Sequence, residues 1–257
     1  MEQQKVYRVL ARNYNKKRRI DRGTLHKIIS FLAPYVEKGL VLDLGSGSGR
    51  ILIPITKLFS KTTFIAYDIS TNMLRNVYRH KKSDNLANME ILEGNFNSER
   101  WISNLGNRRF DSIILFQSIH FVRNIKSFIK QLCYLIKNNG SVIIATTTHD
   151  QFRSLPYCVA FPGAMRLELD RTPNSDVFTK LLLKEKFQLV ASKIISIKAK
   201  FKSKETLRSW LNQKPFSVLA LISNKEFKNG VANFTSQENV DKPILLDQFS
   251  IFVFKKI

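Results

Sequence analysis

Apolar and polar positions fall into blocks that switch repeatedly between helical and strand-like spacing. Leu25, Ile28, Ile29 and Leu32 recur at the interval of one helix face, which predicts an N-terminal helical region. Residues 40–44 form a short apolar run closed by glycines, the pattern of a strand buried on both faces. Residues 51–59 then read as a helix interrupted by Pro54, 63–68 as a strand, 73–80 as a helix and 89–93 as a strand. A strand is expected at 111–116. It is followed by a helix with Ile125, Phe128, Ile129, Leu132, Cys133 and Ile136 on one face and Gly140 as its stop. Residues 142–146 give the next strand. Such alternation predicts βαβ units and a parallel sheet covered by helices.

The last hundred residues are less regular. Residues 177–186, 206–211 and 216–222 read as helical, 189–201 as a long strand and 249–254 as a final strand. Two late strands separated by helices predict an antiparallel pair appended to the parallel sheet. No internal repeat, low-complexity segment or flexible linker divides the chain.

Composition narrows the class. The 257 residues include 44% hydrophobic and 11% aromatic side chains, enough to build a core, so a disordered polycation is excluded despite a net charge of +22. Cys133 and Cys158 cannot form a disulfide scaffold, and no zinc-ligand spacing is present, so a reducing, cytoplasmic setting without a bound metal is expected. The first nineteen residues lack the apolar centre of a signal peptide, and no apolar run is long enough to span a bilayer.

The charge invites a nucleic-acid reading, because lysines and arginines that neutralise phosphates drive binding by counterion release. The excess is nevertheless spread, at +7 over residues 1–40, +6 over 41–150 and +9 over 151–257. Two concentrations stand out: residues 16–19, and the alternating Lys198, Lys200, Lys202 and Lys204, which would share one face of an extended strand. Lysines blunting an exposed sheet edge are the favoured reading of the stripe, and a general compositional bias is a further one, so the charge alone does not decide.

The segment most informative about chemistry is Val41-Leu42-Asp43-Leu44-Gly45-Ser46-Gly47-Ser48-Gly49-Arg50. A strand running into glycines and then a helix lets backbone approach a ligand closely. Asp43 precedes the first glycine, and Asp68 ends the next strand, where a carboxylate can accept two ribose hydroxyls. Arg50 stands where the dinucleotide fingerprint has its third glycine.

This set resembles class I S-adenosylmethionine-dependent methyltransferases, above all the type-11 group of quinone, trans-aconitate and natural-product enzymes. The resemblance rests on Asp43-x-Gly45-x-Gly47-x-Gly49, Asp68-x-Ser70-x-x-Met73-Leu74, Glu93-Gly94-Asn95 and Phe110-Asp111 leading to Ser118-Ile119-His120-Phe121. Upstream, Tyr14-Asn15-Lys16-Lys17-Arg18 is similar to a further segment of that group. Residues 10–150 are covered. The implied fold is a Rossmann-like α/β domain: a seven-stranded, mostly parallel sheet with an antiparallel last strand, helices on both faces and a helical insertion between the last two strands. The implied organisation is one methyltransferase domain over residues 1–257, with a helical cap at 1–39, a cofactor-binding core at 40–150 and a substrate-covering region and strand pair at 151–257.

By the same resemblance, S-adenosyl-L-methionine is the cofactor. Gly45, Ser46, Gly47 and Gly49 would meet its methionine part, Asp43 its ammonium and Asp68 its ribose. Ile69 and Met73 would flank the adenine. Asn95 occupies a position usually held by Asp, with Phe96 beside it; its side-chain carbonyl can accept from the adenine amine. Gln117 would lie near the sulfonium, while Tyr14 and Arg18 belong to the upstream segment, Arg18 pairing with the carboxylate. His120 is the candidate base, or else a ring packed over the cofactor. His149, after the fifth strand, is a weaker candidate for substrate contact.

For the acceptor, the type-11 resemblance implies a small molecule or peptide, with Phe152, Tyr157, Phe161, Arg166 and Arg171 as pocket candidates. An RNA methyltransferase is the alternative, motivated by the charge. Against it, Phe116-Gln117-Ser118-Ile119 lacks the [DN]-P-P-[FY] signature of many base-amine enzymes, and neither cysteine lies in a Pro-Cys motif. A noncatalytic binding module is disfavoured by the intact glycines and both acids.

Overall fold

A computed structural model of the chain describes residues 20–257. Tyr14, Arg18 and the basic cluster at 16–19 lie outside the described residues. Contacts gather into two compact units. One comprises Leu25–Thr146, Pro173–Lys193 and Ser250–Ile257; the other comprises residues 20–24, Thr147–Thr172 and Ile194–Phe249.

The described residues open with α1 (Arg22–Val36) and continue as β1 (Gly39–Leu44), α2 (Leu52–Leu58), β2 (Thr62–Asp68), α3 (Thr71–Ser83), β3 (Met89–Glu93) and β4 (Phe110–Phe116). Next come α4 (Ile125–Leu135) and β5 (Ile136–Thr146). Three short helices follow, α5 (His149–Ser154), α6 (Pro156–Ala160) and α7 (Pro162–Arg171), then α8 (Ser175–Lys184) and β6 (Phe187–Ala199). Two helices, α9 (Lys204–Asn212) and α10 (Asn224–Gln237), separate β6 from β7 (Ile244–Lys256).

The seven strands form one sheet in the order β3-β2-β1-β4-β5-β7-β6. Neighbours from β3 to β5 are parallel, and β7 runs antiparallel to β5. β1 is an interior strand between β2 and β4, and its Val41, Leu42 and Leu44 are wholly buried, as a strand covered on both faces requires. From β1 the chain builds outward to β2 and β3, then returns to β4 on the other side. That reversal puts a crevice at the carboxyl ends of β1 and β4, where open α/β sheets take their ligands.

Each unit has its own core. In the first, Leu42, Leu44, Ile65, Tyr67, Ile113, Leu115, Val142 and Ile144 from the sheet meet Phe128, Ile129 and Leu132 of α4. In the second, Phe152, Tyr157 and Phe161 are 5%, 2% and 0% exposed and pack with Leu207, Phe216 and Phe234. These three aromatics, read above as pocket candidates, are therefore core residues.

Three further expectations differ from the structure. α4 stops at Leu135, and Gly140 lies inside β5 instead of ending the helix. A side chain there would come within 2.9 Å of the Lys137 carbonyl and 3.0 Å of the Asp111 carbonyl, so Gly140 serves the close approach of two backbones. Residues 216–222 hold only a 3₁₀ turn, Ser217–Ala220. The lysine stripe is broken: Lys198 is on edge strand β6, Lys200 and Lys202 follow its end, and Lys204 opens α9 behind the capping Ser203.

Candidate functional site

At its carboxyl end β1 carries Asp43, only 4% exposed, straight into the glycine loop. The Gly45 and Ser46 N–H groups both donate to the Tyr67 carbonyl, at 2.8 and 3.2 Å, folding the loop over the end of β2. Gly45 has φ +77°, and an added Cβ would stand 2.5 Å from the Ser118 Cβ. Ser118 follows β4 and donates through its hydroxyl to the Leu44 carbonyl at 2.6 Å, so the ends of β1 and β4 are locked together there. Gly47, with φ +56°, has open space where a side chain would be. Gly49 donates to the Ser46 carbonyl at 3.0 Å and leads into α2.

Asp68 joins the loop to the next helix. Its Oδ2 accepts from the Gly47 N–H and its Oδ1 from the Ser70 N–H, each at 2.8 Å. Ser70 in turn caps α3 by accepting from the Met73 N–H. Burial raises the Asp68 pKa, against the opposing effect of the N–H groups of Ser70, Gly47 and Ile69. Asp43 is pushed further, to about 8, first by desolvation and second by the neighbouring charge of Asp68.

Three buried polar atoms around this loop have no hydrogen-bond partner among the described residues: Asp43 Oδ1, Ser46 Oγ and Gln117 Nε2. Buried polar groups are otherwise almost always satisfied, so the set points to an external ligand bearing both donors and acceptors. Gln117 follows β4 with φ +56°, an uncommon backbone state for a non-glycine residue, and donates its N–H to the Ala145 carbonyl at 2.8 Å. The open space at Gly47 and these orphaned atoms fit an amino-acid-bearing nucleoside.

The remaining expected residues divide. Ile69 is 45% exposed at the start of α3, whereas Met73 is 5% exposed on its inner face. Asn95 accepts at Oδ1 from the Asn97 N–H at 2.9 Å. Phe96 is a core residue beneath Gly45, its ring centroid 5.6 Å from that of Phe128. His120 lies in the 3₁₀ turn Ile119–Phe121 after β4, ring to ring with Phe121 at 4.1 Å. His149 belongs to the other unit, where its Nε2 is 2.8 Å from the Thr172 carbonyl.

Two contributors carried no signal in the residue pattern. Asn97 donates to the Phe121 carbonyl and accepts from the Arg123 N–H, both at 2.9 Å, tying the loop after β3 to the loop after β4. Trp101, wholly buried, stacks on Phe128 and donates to Gln131 Oε1 at 2.9 Å, anchoring the loop that bears Asn95.

Residues 37–160 match the model of a methyltransferase domain family. Over that span the chain is similar to methyltransferase domains. The chain is 29% identical over 102 residues to the juvenile hormone acid O-methyltransferase of Drosophila melanogaster, a match covering 39% of this chain and 33% of that protein. It spans a third or less of the length of the curated relatives it matches. Its fold is similar to that of YcgJ from Bacillus subtilis, with a TM-score of 0.58, 14% identity, and 92% of this chain and 99% of that one covered. Coclaurine N-methyltransferase, solved with N-methylheliamine and SAH, aligns with a TM-score of 0.55 at 14% identity over 90% of this chain and 72% of that one. Among the described residues, no helix is long and apolar enough to cross a membrane.

Proposed function

We propose that the chain transfers the methyl group of S-adenosylmethionine to an oxygen, nitrogen or carbon atom of a small molecule or peptide. The observation that carries this reading is the trio of partnerless buried atoms, Asp43 Oδ1, Ser46 Oγ and Gln117 Nε2, around a glycine loop with room at Gly47. Asp43 accepts from the donor's ammonium. Asp68 keeps lone pairs beyond those taken by Gly47 and Ser70, and these accept from two ribose hydroxyls. Ile69 and Met73 flank the adenine, with Asn95 at its amine. Arg18, with Tyr14 in the same upstream segment, pairs with the donor's carboxylate.

When bound, the donor supplies a methyl already activated by a sulfonium, so in-line positioning of the acceptor provides much of the rate. Gln117 and His120 follow the strand that ends at this crevice. Where the acceptor carries a proton, an imidazole nitrogen of His120 removes it; His120→Ala then slows single-turnover transfer by roughly 10²–10⁴. A full rate in that variant removes His120 as the base. Juvenile hormone acid and coclaurine, the acceptors in the names of two proteins above, are small molecules, which favours this class.

The acceptor class is tested by incubating the protein with methyl-labelled donor and separated small-molecule, peptide and RNA fractions. Label in either of the first two is expected. Label only in nuclease-sensitive material overturns the small-molecule or peptide assignment and favours the RNA alternative.

A further inference from the structure

At the amino end of the parallel strands, opposite the glycine loop, lies a cleft of about 590 Å³. Arg109, Lys130, Tyr134, Lys137, Asn138 and Lys256 contribute to its lining. Arg109 immediately precedes β4, and Gln117 immediately follows it. The seven residues of β4 between them, eight steps of an extended chain, separate the two by roughly 25 Å, so the cleft is distinct from the cofactor crevice.

Its construction is specific. Lys256, at the end of β7, donates through Nζ to the carbonyls of Cys133 and Ile136 at 2.9 and 3.4 Å, which fixes the ammonium at the end of α4. Lys137 is held by Asp111 at 2.8 Å. Arg109 lies with its guanidinium carbon 3.7 Å from the centre of the Tyr134 ring, itself 54% exposed. The four cations, set against the Asp111 carboxylate that pairs with Lys137, sum to about +3, close to the charge of a diphosphate with the sign reversed. An exposed aromatic ring beside ordered cations is the arrangement that takes a base and its phosphates together.

We propose that this cleft binds the phosphates of a nucleotide, with the base stacked on Tyr134. Two sources share this chemistry, a free nucleoside diphosphate and a segment of single-stranded RNA. Phosphate contacts at Arg109 and Lys130 would make binding fall with salt. Stacking on Tyr134 adds an increment that salt does not remove.

Fluorescence anisotropy of the full chain tests this with labelled ADP and a labelled single-stranded RNA, both with S-adenosylhomocysteine saturating so that neither probe reports the adenosine site. Arg109→Gln with Lys130→Ala removes two charges from the cleft. Lys225→Ala with Lys228→Ala removes two from exposed positions on α10. At least one probe is expected to bind, with the cleft pair weakening it roughly tenfold or more, Tyr134→Ala roughly tenfold, and the α10 pair less than about threefold. Comparable binding of ADP and RNA identifies the free nucleotide; RNA binding with weak ADP binding identifies the strand. No binding of either probe at millimolar concentration overturns the proposal, as does equal loss in the two charge pairs. Circular dichroism melting confirms that the variants fold. Should Tyr134→Ala unfold, Tyr134→Leu, which keeps bulk without a base-stacking ring, takes its place with the same expected loss.

Discussion

Gly45 and Gly47 share a positive φ but face different surroundings, and alanine at the two positions is expected to do different things. At Gly45 a methyl would collide with Ser118 and break the junction of β1 with β4, so Gly45→Ala loses about 2–4 kcal/mol of stability in urea titrations. At Gly47 nothing of the protein is in the way. Gly47→Ala bears only the left-handed backbone penalty of about 1–2 kcal/mol, but fills the space needed by a ligand and so abolishes S-adenosylhomocysteine binding. Equal destabilisation of the two variants would refute this division. Asp43 adds a pH signature. Its folded pKa of about 8 lies far above the ordinary value of 3.8, so the folded state holds the extra proton and stability declines as pH rises between those values. Denaturation at about pH 5 and about pH 8 should show that decline in the parent protein and a flatter profile in Asp43→Asn. The donor's ammonium favours the ionised form, so binding below about pH 8 is accompanied by proton release, readable by calorimetry in two buffers of different ionisation enthalpy.

Among the elements, those with a strong apolar period were legible from the sequence. β1, β2, β3, β4, α1 and α3 lie within a few residues of their expected places, because β1, β2 and β4 are buried over consecutive positions and α1 and α3 each bury one face. β5 was only half legible: its first residues, after Ile136, are exposed, and Gly140 carries the ambiguous signal of a helix stop or a close backbone approach. Residues 149–171 break into three helices of which two start at proline, too short to show a period. α10 hides behind its polar composition, and its Gly230 lies against the Phe161 ring. In the candidate site, Asp43, Asp68 and the glycines stood out because two acids at the ends of neighbouring strands accompany the glycine loop, which alone would mark only a tight turn. Asn97 and Trp101 did not, since their work is tying one loop to segments distant in sequence, Asn97 to the loop after β4 and Trp101 to α4. The loop after β3 depends on Trp101, and Trp101→Ala is expected to lose about 3–5 kcal/mol, seen as a lower urea midpoint. A loss under about 1 kcal/mol would show that the loop holds without it.

For the whole molecule, the charge of +22 does not collect at one functional face of the sequence. Part of it lies on edge strand β6 and the residues after it, and part is assembled from Arg109, Lys130, Lys137 and Lys256 at the end of the sheet away from the glycine loop. The two units have separate cores, and the residues of β6 and of β7 are each divided between the two units. Ligand bound at the glycine loop should stabilise the unit that contains it: at about 100 times Kd, roughly 2.7 kcal/mol, or several degrees in melting temperature. The central claim is that this loop and its two acids hold the methyl donor. Calorimetric titration with S-adenosylhomocysteine, comparing the parent protein with Asp68→Ala, tests it most directly. One site per chain is predicted, with affinity falling roughly thirtyfold or more in the variant as two charge-assisted hydrogen bonds are lost. Absence of binding to the parent, or an unchanged affinity in Asp68→Ala, would contradict the account.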